Sequence, residues 1–150
     1  MVIPKLASFF RTAPLSKGLI DVGLLAARLG MALVFIRFGI NHVLHPEQLV
    51  QGIQMSMGFV PSVATNATFL VGIGEIIAGI LVALGIITRI TAGFQIFILI
   101  GALARFRFDY IKTPAIWKDP GLFGLAIIFL LYGPGRLSLD YLISRREQMR

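Results

Sequence analysis

Three charged side chains stand inside long apolar runs of this sequence: Arg28 and Arg37 in VGLLAARLGMALVFIRFGINHVL, and Glu75 in FLVGIGEIIAGILVALGII. A charge at the centre of an apolar helix costs about 2.5–3.5 kcal/mol to place in lipid, so it faces protein or water and takes a partner. Arg37 lies seven residues before the end of its run at Leu44, and Glu75 six residues after the start of its run at Phe69. At about 1.5 Å per residue, both fall roughly 10 Å below the same end of an antiparallel helix pair. Arg37 is therefore expected to meet Glu75, with Asn41 one turn along the same face. Gly72, Ala78 and Gly79 beside Glu75 allow close helix approach. Three readings stay open: a pair that holds the bundle together, a polar layer that binds a quinone headgroup or relays protons, and an unpaired, protonated Glu75.

Arg28 is a separate case. Nine residues from Arg37 is about 180° around a helix, so the two arginines face opposite ways. Arg28 shares its stripe with Asp21, Phe35 and His42. It either snorkels to lipid headgroups or contacts another part of the bundle or a second subunit. His42 and His45 have spacing compatible with a metal pair, but only Glu47 stands nearby as a third ligand. A loop surface is the expectation there, with no metal site and no haem ligation.

The elements that must position these residues follow from composition. Of 150 residues, 57% are hydrophobic and 14% charged, and the mean hydropathy is +0.86. Soluble domains are nearer half apolar and a quarter charged. The excess gathers in four blocks, about Val22–Leu44, Phe69–Ile87, Ile90–Ala104 and Ile116–Tyr132. These predict an all-α, four-helix transmembrane bundle forming a single integral membrane domain over residues 1–150. The third and fourth blocks are short for a bilayer that needs ~20 helical residues. GIITRI makes the second and third blocks antiparallel neighbours. The long first loop carries Pro46 at a helix start and Leu49, Ile53 and Met57 at helical spacing, which predicts a short interfacial helix.

The net charge of +7 raises the question of nucleic acid. The basic residues instead lie at the ends of the apolar blocks, where they meet headgroups, and no basic face interleaved with stacking aromatics occurs. Absence of cysteine excludes disulfide exchange and thiolate chemistry carried by this chain. MVIPKLASFFRTAPLSK lacks a signal-peptide pattern, and its Phe9, Phe10, Lys5 and Arg11 suit a segment on the membrane surface. Eight Lys/Arg flank one side (Lys5, Arg11, Lys17, Arg89, Arg136, Arg145, Arg146, Arg150) and four the other (Arg105, Arg107, Lys112, Lys118), which predicts both termini in the cytoplasm and the long first loop outside it. RFRFDYIKTPAIWKDP, with Phe106, Phe108, Tyr110 and Trp117, reads as an aromatic belt or as a docking surface for a periplasmic partner.

Three blocks, ARLGMALVFIRFGINHVLHPE, GIGEIIAGILVALGIITRITA and WKDPGLFGLAIIFLLYGPGRLSLDYL, in this order and spacing, resemble the DoxX family of small four-span membrane proteins. The resemblance runs from about Leu25 to Leu142. Within it Arg28 and Glu75 are similar to the family's first-span arginine and second-span glutamate. Gly133, Pro134, Gly135, Arg136 and Asp140 match its C-terminal signature. Asn41-His42 departs from the lysine often found there, and Arg37 is atypical. The resemblance implies association with respiratory or redox complexes and leaves catalysis by this chain unassigned. The leading expectation is an accessory subunit in a bacterial inner membrane, partnered by lipid and by membrane or periplasmic redox subunits. It places a quinone with Glu75, Arg37, Asn41 and Arg28 and binds no other cofactor itself. The alternatives are a homo-oligomeric small-solute carrier or channel, and a scaffold without ligand chemistry.

Overall fold

The computed structural model describes residues 16–105 and 118–149. The aromatic-basic stretch from Phe106 to Trp117 and the segment holding Lys5, Phe9, Phe10 and Arg11 lie outside them. Six helices follow in order among the described residues: α1 Lys17–Leu44, α2 Glu47–Met57, α3 Pro61–Leu84, α4 Thr88–Arg105, α5 Lys118–Tyr132 and α6 Leu139–Gln148. No strand occurs among them.

Local chemistry sets the boundaries. Ser16 caps α1 by accepting from the Leu19 amide, so the helix starts before the expected Val22. The short helix expected after Pro46 is α2, which ends at Gly58 in the left-handed conformation, φ 68°. Pro61 opens α3 at its first turn, eight residues ahead of the expected Phe69. Both threonine hydroxyls in that extra stretch are satisfied within the helix: Thr65 donates to the Pro61 carbonyl and Thr68 to that of Ala64, both at 2.9 Å. Gly85, φ 67°, then stops α3 short of the expected Ile87.

α1 and α3 are long and apolar enough to cross a membrane, and only 22% and 33% of their most apolar windows are buried within the chain. A soluble core helix would be mostly covered; here Leu33, Ile90, Phe97 and Leu131 are each more than 70% exposed while Arg28 and Gln95 are 0% exposed. Polar groups inside and large apolar groups outside fit lipid as the surrounding solvent. α4 and α5 are apolar and shorter, at 18 and 15 residues.

α1 lies along α3, α3 packs on α4, and α4 packs on α5. The first crossing is made by glycine. A Cβ at Gly39 would stand 2.6 Å from the Gly72 carbonyl oxygen, and one at Gly79 would stand 2.6 Å from Ile36. Backbones this close gain dispersion contacts that a pair of larger residues would prevent. Met31, Ala32, Phe35, Val82, Leu99, Ala126 and Phe129 fill the space between the helices.

Candidate functional site

The glycine crossing sets the geometry of one polar pair. His42 is three residues beyond Gly39 on α1, and Glu75 three residues beyond Gly72 on α3. A Cβ on Gly72 would lie 3.1 Å from that of His42, so the base of the His42 side chain rests against the bare helix surface. His42 Nδ1 and Glu75 Oε2 then share a hydrogen bond of 2.6 Å. The side chains are 19% and 8% exposed, respectively. The bond orients the ring and leaves Nε2 for another partner, the arrangement by which a carboxylate sets a histidine's tautomer.

The pair lines a cavity of about 580 Å³. Phe35, Phe38, Leu99 and Leu122 supply apolar wall, and Asn41 and Lys118 add polar groups. Lys118 Nζ lies 2.5 Å from Asp119 Oδ1 and 4.0 Å from the centroid of Phe38. Asp119 is buried, so the ammonium is held between a carboxylate and an aromatic face. The volume and the mixture of apolar wall with few polar groups are those of small-molecule sites. Among the described residues no group of three His, Cys, Asp or Glu could hold a metal.

The expected Arg37–Glu75 contact is not formed. Arg37 is exposed and, among the described residues, makes no hydrogen bond or ion pair. The reason is angular. Phe35 and Gly39 face the protein, and two residues from either is about 200° around the helix, which turns Arg37 outward. Depth arithmetic placed Arg37 at a suitable level but could not choose the face. The face belongs to the stripe of Asp21, Arg28, Phe35 and His42, so the residue read as loop surface is the partner of Glu75. Asn41 does line the same cavity.

Arg28 belongs to the other end of the molecule and reaches neither Glu75 nor the cavity. It is fully buried and donates through Nη1 to the Ala83 carbonyl at 3.1 Å and through Nη2 to that of Leu137. It thereby joins the last turn of α3 to the GPGR turn. Gly133 and Gly135 take φ of 89° and 81° there. The Arg136 amide donates to Asp21 at 2.8 Å, and Ser138 caps α6. Asp140 accepts from the amides of Ile87 and Thr88 at 2.7 and 2.9 Å, capping α4, and its own amide donates to the Gly85 carbonyl. Within the signature stretch, the Arg136 amide and the Asp140 carboxylate and amide thus make hydrogen bonds that tie the turn to α1 and to the α3–α4 junction. Arg136 and Asp140 do not pair with each other as one helical turn, because α6 starts only at Leu139.

Two further polar residues were not expected at a site. Lys118 figures in the sequence only among the basic residues that flank the apolar blocks. Gln95 is fully buried on α4, and neither its amide nitrogen nor its oxygen has a partner among the described residues. A lone amide within GFQIFILI was the available signal for Gln95.

The DoxX family model matches residues 23–107. The uncharacterized membrane protein Rv3486 of Mycobacterium tuberculosis is 34% identical over 132 residues, which cover 79% of this chain and 80% of that protein. No solved structure matches the chain. With a family match over more than half its length, across α1, α3 and the glycine crossing that joins them, the chain belongs to the DoxX family of membrane proteins.

Proposed function

We propose that this protein is an accessory subunit of a quinone-linked membrane redox complex, and that the His42–Glu75 cavity receives the quinone headgroup. On this reading α1, α3, α4 and α5 all cross a bacterial inner membrane with both termini in the cytoplasm, by the distribution of Lys and Arg. The supporting observation is one arrangement: a nearly buried His42–Glu75 bond and a Lys118 ammonium on the wall of an apolar cavity of about 580 Å³.

The donors suit the ligand class. A quinone carbonyl only accepts, which matches an ammonium or an imidazolium N–H. A quinol hydroxyl donates, which matches Nε2 of neutral imidazole. Because Glu75 holds Nδ1, a proton taken at Nε2 is balanced by one passed across the 2.6 Å bond towards the carboxylate. Phe35 and Phe38 put aromatic side chains in the cavity wall beside a flat headgroup. A bound quinone would supply a two-electron, two-proton couple. The chain's own share is to bind, orient and hold a proton; the electron partner belongs to another subunit.

The test is purification of the full chain in mild detergent with mass spectrometry of the proteins and lipids that travel with it. Co-purifying quinone and an oxidase or dehydrogenase, with quinone lost from His42→Ala and Glu75→Gln, support the assignment. A homo-oligomer without quinone that leaks solute in liposomes replaces it with the carrier reading. Neither quinone nor transport leaves a scaffold.

A further inference from the structure

A second cavity of about 710 Å³ lies at the opposite end of α1, where the GPGR turn meets the start of α4. His42 is 21 residues from Asp21, which lines it, so the two cavities are about 30 Å apart along the helix. Three cations from three separate elements line this cavity: Lys17 of α1, Arg89 of α4 and Arg136 of the turn. Its two carboxylates are already engaged, Asp140 by the Ile87 and Thr88 amides and Asp21 by the Arg136 amide. Thr88 also lines it; this side chain is fully buried and its hydroxyl has no hydrogen-bond partner among the described residues.

Ile20, Ile87, Ile90 and Pro134 supply apolar lining beside the hydroxyl-bearing Tyr132, Tyr141 and Ser144. Ile87 and Ile90 are 49% and 72% exposed, and Leu131 next to the cavity, whose carbonyl accepts from Arg89, is 72% exposed. Cations at the end of apolar helices, with greasy side chains running away from them, match a molecule charged at one end and apolar along its length. Arg guanidinium groups suit the planar recognition of phosphate oxygens. We infer that this cavity binds a phosphate group, presented as the headgroup of an anionic phospholipid, through Lys17, Arg89 and Arg136 with the Thr88 hydroxyl as a further donor. Asp140 has a part in this: by capping α4 it holds Thr88 and Arg89 at the cavity edge.

The experiment uses the full chain in detergent, titrated separately with phosphatidylglycerol, phosphatidylcholine and inorganic phosphate, and read by native mass spectrometry and thermal unfolding. Phosphatidylglycerol is expected to bind and stabilise more than phosphatidylcholine. Each exposed basic residue is worth roughly fivefold in affinity, so Lys17→Gln/Arg89→Gln is expected to weaken phosphatidylglycerol binding about 25-fold while the protein without lipid unfolds as the wild type does. Thr88→Val is expected to weaken it by less. If inorganic phosphate alone reproduces the stabilisation and the double variant abolishes it, the phosphate site stands with the free ion as its ligand. Equal binding of the two lipids by the wild type, or undiminished phosphatidylglycerol binding by Lys17→Gln/Arg89→Gln, overturns the inference.

Discussion

Gly39→Ala probes the helix crossing on which the His42–Glu75 pair depends. The new Cβ would lie 2.6 Å from the Gly72 carbonyl oxygen and 2.9 Å from the Ile76 nitrogen, both backbone atoms that cannot swing aside. Ordinary contact begins at 3.4 Å, so α1 and α3 must part locally by 0.8 Å. His42 and Glu75 are each one turn from this contact. The same displacement carries their hydrogen bond from 2.6 Å towards about 3.4 Å, past the useful range of such bonds. Overpacking costs about 1–3 kcal/mol, and a buried hydrogen bond to a charged group contributes about 1.5–3 kcal/mol. A loss of about 3–5 kcal/mol is therefore expected. Gly30→Ala is the control: no atom lies within 4 Å of its Cβ, and a gain of up to ~1 kcal/mol in helix propensity is expected. The assay is reversible unfolding in micelles, with a double-mutant cycle of His42→Ala and Glu75→Ala run in the wild type and again in Gly39→Ala. Coupling of about 1 kcal/mol or more in the wild type should disappear in the alanine background. The reasoning is refuted if Gly39→Ala is as mild as Gly30→Ala, or if the coupling survives unchanged.

The two arginines of α1 should separate cleanly. Arg28→Gln removes the two charge-assisted hydrogen bonds from a fully buried guanidinium to the Ala83 and Leu137 carbonyls and is expected to cost about 3 kcal/mol, whereas Arg37→Gln, on an exposed face, should stay within about 0.5 kcal/mol; unfolding of both variants decides it. Asp140→Ala frees the Ile87 and Thr88 amides at the start of α4 and should cost about 1–2 kcal/mol, with faster hydrogen exchange confined to those amides and the turn beside them. Gln95→Leu removes two buried polar atoms without partners among the described residues and should raise stability by about 1–3 kcal/mol; a lower unfolding midpoint would mean that Gln95 is satisfied in the working protein.

Much of the architecture was legible in the one-dimensional pattern. Long apolar runs have to be helices in lipid, because a spanning backbone must satisfy its own amides. Pro46 and Leu49, Ile53, Met57 announced the short second helix, and the small residues beside Glu75 announced a close crossing. The ends of α3 were harder to read. Ser62, Thr65 and Asn66 look like loop, yet a threonine hydroxyl can turn back on its own helix, and Pro61 favours a first turn.

Composition and spacing by themselves determined that this chain is helical, apolar on the outside, and marked by Glu75 as carrying a buried charge. Only the packed structure decided which cation-bearing stripe faces that carboxylate. Depth along a helix is linear in residue number and can be counted from one run alone, whereas the facing of a helix is an angle defined relative to its neighbour. Gly39 resting on Gly72 sets that angle, and it brings His42 to Glu75, turns Arg37 outward and leaves Arg28 to bind carbonyls about 20 Å away along α1.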